Sequence, residues 1–147
     1  MSDGNKAVAQ RHIDEVWNKG NLDSMDETHV KDYIHHDPHD PWQRTHDPGP
    51  DAVKKLVHFY RNAFPDLCLT IDEIIAEGDV VVARFSSHAT HKQQFGNIKP
   101  TNKTVKITGV FWWRFADGKI IEGRSYWDAH AFLRQLGAVP EIATLSE

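Results

Sequence analysis

Apolar residues recur along this chain with two periods, and the change of period divides it. Ala9, Ile13, Val16 and Trp17 fall at helical spacing within residues 6–19, and Gly20 followed by Asn21 supplies a stop, which predicts a first helix. A shorter helix is expected over residues 22–28, capped by Asn21. After Gly49-Pro50, the residues Val53, Leu56, Val57, Tyr60 and Phe64 form one apolar stripe that Pro65 ends, a third helix. From Leu67 the pattern becomes strand-like. Strands are expected over residues 67–76 and from 80 to about 91, joined by a Glu77-Gly78-Asp79 turn. Residues 92–103, with Gly96 and Pro100, read as a loop or a long hairpin end. Residues 105–115 and 120–127 read as a hairpin about Asp117-Gly118, and a last helix opens at Asp128 and runs to Leu136-Gly137.

Residues 33–50 break both patterns. They hold Pro38, Pro41, Pro48 and Pro50 together with His35, His36, His39, His46, Asp37, Asp40 and Asp47, so a loop is expected, long enough to suggest a functional role. Helices segregated from strands define an α+β fold with an antiparallel sheet. Within residues 105–115, Val105, Ile107, Phe111, Trp113 and Phe115 share one face while Val110 and Trp112 occupy the other. Both faces of that sheet then need cover, one from the helices around a pocket and the other from a second copy, which predicts a homodimer.

A length of 147 residues fits one domain, residues 1–147, able to bury a sizeable core. Five Trp, seven Phe and three Tyr suffice to line a pocket as well as fill that core. The net charge of -4 and the scatter of Lys and Arg argue against a nucleic-acid partner. The single cysteine, Cys68, excludes an intrachain disulfide and has no motif partner as a nucleophile. With a polar start and no apolar run of membrane-spanning length, the expectation is a cytoplasmic protein without a membrane partner.

Asp128 carries the sharpest chemical question. It follows Tyr126-Trp127 at a strand end, where lost hydration would raise its pKa and make it a better base, and it also opens a helix, where Asp is a common N-cap. Arg84, Ser86 and His88 alternate onto one strand face as candidate hydrogen-bond donors, and Trp113 is a candidate stacking surface for a flat substrate. Arg84 has Glu122 as a candidate partner, and each of these residues has a purely structural alternative. The histidine-rich stretch invites a metal, yet its spacing matches no defined site, so no metal is expected. No Gly-rich phosphate cradle precedes a helix, so no nucleotide is expected either.

Phe64-Pro65-Asp66-Leu67, Ile75-Ala76-Glu77-Gly78-Asp79, Thr90-His91, Pro100-Thr101, Asp117-Gly118-Lys119-Ile120 with Glu122, and Asp128 with Gln135-Leu136-Gly137 resemble, in order, the SnoaL-like polyketide cyclase (ester cyclase) family. Val16-Trp17-Asn18-Lys19-Gly20 and Tyr33-Ile34-His35-His36-Asp37-Pro38 extend the match toward the start. Members often carry His-Trp after the residue that is Glu122 here, whereas this chain has Gly123-Arg124. The resemblance implies a cystatin-like, nuclear-transport-factor-two-like α+β barrel, a cone of curved antiparallel sheet closed by N-terminal helices. It implies ring closure by intramolecular aldol chemistry without metal or cofactor, the acid/base aspartate falling on Asp128. His36 joins Asp128 as a catalytic candidate, and Tyr33, Arg84, Ser86, His88, Trp113 and Glu122 are the expected substrate contacts. The leading function is therefore a cofactor-independent enzyme acting on a small apolar carbonyl compound, by cyclisation or a related proton-transfer isomerisation. Hydratase or oxygenase chemistry in the same pocket, or a noncatalytic binding or dimerisation module, are the alternatives. A buried Asp128 facing an open cavity would favour an enzyme, and a polar second sheet face with no isolated acid in the pocket would favour the binding module.

Overall fold

The computed structural model describes residues 2–40 and 47–139. Helix α1 (Ser2–His12) continues without a break into a π-helical stretch (Ile13–Asn18), and a 3-10 turn (Leu22–Ser24) leads into the short α2 (Met25–Thr28). Strand β1 (His29–His36) follows, then α3 (Asp51–Ala63). The remaining strands are β2 (Cys68–Glu77), β3 (Val80–Thr90), β4 (Thr104–Ala116) and β5 (Lys119–Trp127), and α4 (Ala129–Gln135) closes the described fold.

The strands form one sheet in the order β1-β5-β4-β3-β2. Three antiparallel pairings join β2 through β5, and the Asp117-Gly118 corner between β4 and β5 has both residues at positive φ, as a tight hairpin of matching twist requires. Strand β1 corrects the expected loop. Its residues Tyr33 to His36 are not irregular: Ile34, His35 and His36 pair in parallel with Glu122, Gly123 and Arg124 of β5, so the sheet has one parallel edge. A second correction concerns Asn21, whose side chain makes no cap bond to the following turn and reaches Glu15 instead. His46 and Pro41 of the expected loop lie outside the described residues.

The helices cover one face of the sheet. Ala9, Ile13, Val16 and Trp17 on one side, and Val53, Leu56, Val57, Tyr60 and Ala63 of α3 on the other, are all buried against it. The strands answer with every second residue: Val81, Ala83, Phe85 and Ala89 of β3, and Phe111, Trp113 and Phe115 of β4, are buried. Each large apolar side chain so enclosed contributes about 1.5–3 kcal/mol. Gly109 leaves room for this packing, since a Cβ there would lie 2.7 Å from the Phe85 ring and 2.6 Å from the Trp127 Cβ. Two polar side chains tie the helices to the sheet. The Asn18 amide donates to Leu69 O at 2.9 Å and accepts from Leu69 N at 2.7 Å, and the Arg61 guanidinium donates to Trp17 O and Leu67 O.

Candidate active site

Between the inner sheet face, the π-helical turn, α3 and α4 lies a cavity of about 610 Å³ counting its open mouth. Its walls are aromatic and aliphatic, with Trp17, Tyr60, Phe64, Phe85, Phe111, Trp127 and Phe132 supplying most of the surface. Three polar residues interrupt them: Asp37, Ser87 and Ser125.

Asp37 leaves β1 and turns inward. Its Oδ1 accepts the His39 N–H at 2.8 Å. Burial pushes its carboxyl up to about 6, with Asp40 adding to the rise and the His39 N–H opposing it. The same two carboxylates, after burial, hold the Tyr60 phenol above its ordinary value. His39 accepts the Trp127 N–H at 3.4 Å and meets the Trp127 ring edge-on at 4.8 Å, and burial lowers its pKa.

Ser125 reaches the cavity from β5. Its Oγ lies 3.0 Å from His35 Nε2, and His35 Nδ1 lies 2.7 Å from the Tyr33 hydroxyl. His35 is buried and its pKa falls to about 3, through burial first and then through His12 and His36. Burial raises the Tyr33 phenol. The Tyr33 hydroxyl occupies space beside Gly123, where a Cβ would lie 2.1 Å from it. Glycine at this position is a condition for the Tyr33–His35–Ser125 chain.

Five of the expected site residues, Arg84, Ser86, His88, His36 and Glu122, lie on the outer face of the sheet, away from the cavity. Arg84, Ser86 and His88 do share a face, but it is the outer one, while Phe85, Ser87 and Ala89 point inward. Arg84 sits 3.6 Å from Asp72 and 3.7 Å from Glu73, Ser86 donates to Asp72, and His88 is exposed. His36 and Glu122 pair with each other at 3.0 Å on that outer face, where Arg114 and Arg124 also approach Glu122. Trp113 is on the inner face but lies in the core, stacked on Phe111 at 5.2 Å and edge-on to His12 at 6.1 Å, and it does not line the cavity. Tyr33 is buried and reaches the cavity only through His35 and Ser125.

Asp128 is exposed and caps α4, its Oδ1 accepting the Ala131 N–H at 3.0 Å. It does not line the cavity, because the strand's inward residues are Ser125 and Trp127, and the chain has turned out of the sheet by residue 128. The cap is thus its structural role. Asp128→Ala is expected to lose about 0.5–2 kcal/mol in urea unfolding, and Asp128→Asn, which keeps a capping oxygen, much less. Asp37, Ser87 and Ser125 were missed. Ser87 was visible as a small polar residue in the apolar row Phe85-Ser87-Ala89, and Ser125 lies two residues before Trp127 on the same face.

His35 and His36 point to opposite faces of β1, and among the described residues no three His, Cys, Asp or Glu side chains group so as to hold a metal. No helix among the described residues is long and apolar enough to cross a membrane.

The profile of the SnoaL-like polyketide cyclase family matches residues 7–136, so this chain belongs to that family. Three solved structures show the likeness in detail. The crystal structure of AclR, a putative hydroxylase from Streptomyces galilaeus, is 27% identical and superposes with a TM-score of 0.83, covering 97% of this chain and 91% of its own. A putative polyketide cyclase from Acidithiobacillus ferrooxidans is 29% identical with a TM-score of 0.82, over 91% and 94% of the two chains. IdmH, a putative polyketide cyclase from Streptomyces antibioticus, is 27% identical with a TM-score of 0.79, over 90% and 98%. No curated protein sequence matches. The fold is accordingly the nuclear-transport-factor-two-like cone, with a curved five-stranded sheet and N-terminal helices.

Proposed function

We propose that this protein is a cofactor-independent enzyme that moves a proton at a carbon beside a carbonyl group of a small, flat, apolar molecule, in a cyclisation or isomerisation. The observation that carries the reading is Asp37, a carboxyl pushed up to about 6 in a cavity walled mainly by apolar side chains, many of them aromatic. A base titrating near the working pH is both substantially ionised and basic enough to accept a proton from carbon. Aromatic walls stack on a conjugated substrate and keep water from the carbanion. Membership in a polyketide cyclase family supports the same class of chemistry.

The test has two arms. Mass spectrometry of small molecules that co-purify with the protein is expected to reveal an apolar carbonyl compound. Incubation with beta-tetralone, a flat bicyclic ketone, in deuterium oxide is expected to accelerate exchange of its α-protons above the buffer rate. A protein that binds the ketone tightly yet leaves its exchange rate unchanged would be a binding module instead.

The proposal includes a homodimer formed through the outer sheet face. Ile75 is 60% exposed and Tyr126 50%; Ile75 pairs with Val82 and Val82 with Trp112, while Tyr126 pairs with Val110 in the neighbouring row. Arg114 and Arg124 lie over the Trp112 ring at 5.0 and 5.7 Å, forming a charged rim to this apolar strip. Sedimentation at micromolar concentration is expected to give twice the chain mass, and Trp112→Glu is expected to give monomers. A parent protein that sediments as a monomer removes this part.

A further inference from the structure

The direction of the hydrogen bonds through Tyr33, His35 and Ser125 fixes what Ser125 offers to the cavity. The Tyr33 hydroxyl is buried and has His35 Nδ1 as its one hydrogen-bond partner among the described residues. A buried phenol that kept its hydrogen without an acceptor would forfeit about 1–3 kcal/mol, so the O–H donates to Nδ1. His35 therefore carries its hydrogen on Nε2 and donates to Ser125 Oγ at 3.0 Å. With its oxygen already accepting, the Ser125 hydroxyl is left to donate its own hydrogen, and Ser125 lines the cavity.

This polarity excludes one role and defines another. A serine nucleophile needs a base to receive its proton, and an Nε2 that bears hydrogen is not one. The chain is instead a run of donors aimed at the cavity, each strengthening the next, in apolar surroundings where such bonds act strongly. A neutral imidazole in the middle serves it well, and burial keeps His35 neutral at ordinary pH. Gly123 points the same way, since any side chain there would evict the Tyr33 hydroxyl that sets the tautomer.

We propose that Ser125, backed by His35 and Tyr33, is an oxyanion subsite that holds the carbonyl oxygen of the ligand as it becomes an enolate oxygen. The inference rests on the reading of Asp37 as the base and adds the partner that such a base needs. As the α-proton passes to the Asp37 carboxylate, the electron pair of the C–H bond forms the enolate double bond, and the carbonyl π pair moves onto oxygen. The negative charge that leaves Asp37 thus reappears on an oxygen that the Ser125 hydroxyl meets. Ser125 is the catalytic residue of this subsite, and His35 and Tyr33 are positioning residues that act through it. The ligands it selects are enolates and phenolates of compact apolar molecules over neutral molecules of the same shape.

The test measures binding in an Asp37→Asn background, which lacks the base and its charge, so its outcome is independent of whether Asp37 moves protons. The probes are para-nitrophenolate, an enolate mimic followed by its absorbance at a pH where it is ionised, and para-nitrotoluene, its uncharged counterpart. Adding Ser125→Ala is expected to weaken para-nitrophenolate binding by about tenfold or more, the effect of one hydrogen bond to a charged group, while para-nitrotoluene affinity changes by less than about twofold. Tyr33→Phe, which leaves Ser125 in place, is expected to cause a smaller loss in the same direction and again to spare para-nitrotoluene. Unchanged phenolate affinity in Ser125→Ala, equal loss of both probes in either variant, or a background protein with no preference for phenolate would each overturn the assignment.

Discussion

Acidification to about pH 5 is expected to remove a large part of this protein's stability, through histidines that never meet the substrate. His12, His29 and His35 are buried together, His12 and His29 with ring centroids 4.8 Å apart. Burial lowers all three, His29 and His35 to about 3 and His12 well below its ordinary value. In the unfolded chain each titrates near 6.5. Between pH 6.5 and the folded value, the unfolded chain therefore binds protons that the folded one refuses, and stability falls as pH falls. At about pH 5 the loss is roughly 2 kcal/mol for each of His29 and His35, with His12 adding in the same sense. Asp37 opposes this. Its carboxyl, raised to about 6 when folded, takes up a proton in the folded state first and returns roughly 1.4 kcal/mol at that pH. The balance is a loss of roughly 3 kcal/mol or more, against a total of about 5–15 kcal/mol for a typical domain. Urea midpoints at about pH 7.5 and pH 5 measure it directly, and His12→Phe should flatten the dependence. Equal midpoints at the two pH values would mean that these rings are open to protons in the folded protein.

Replacing Asp37 by Asn is the second large effect. The amide oxygen still accepts the His39 N–H, so the fold is expected to survive, while ketone α-proton exchange is expected to fall at least about a hundredfold, the low end of what a positioned general base contributes. The pH profile of the unsubstituted protein carries the signature. Activity should rise with pH through about 6 as Asp37 ionises, set by its burial, by the His39 N–H and by Asp40, and then level off. Asp128→Asn is expected to leave the exchange rate near the parental value. Should Asp128→Asn abolish exchange while Asp37→Asn retains it, the base is the helix cap after all.

The helices and the hairpins were legible because their signals are local, whereas the cone was implied by the family resemblance. The stripe from Val53 to Phe64 and the Asp-Gly corner at residues 117–118 each specify an element within a few residues. Strand β1 was not legible, because its partner is a parallel strand some ninety positions away and its buried face is polar. Tyr33 and His35 satisfy each other by hydrogen bonding, so a segment that belongs inside has the composition of one that belongs in water. The site failed to be read for a related reason. Alternation along β3 puts Arg84, Ser86 and His88 on one face and Phe85, Ser87 and Ala89 on the other, but which face the helices cover is a tertiary fact that alternation does not carry. Asp37 was hidden within a proline-rich run, and nothing local distinguishes a carboxylate that folds inward from one that stays in solvent.

The Asn18 amide has a bearing on the protein's behaviour in a crowded solution. Strand β2 is the last in the sheet, and Leu69 pairs with Ser87 on its inner side. The N–H and C=O of Leu69 that Asn18 occupies are therefore the ones that face away from the sheet, where an incoming strand from another molecule would attach. One side chain fills the place of that strand. Growth of the sheet through this border is stopped near its start, and Asn18→Ala is expected to expose a strand edge that promotes fibre formation, measurable by thioflavin binding on prolonged incubation.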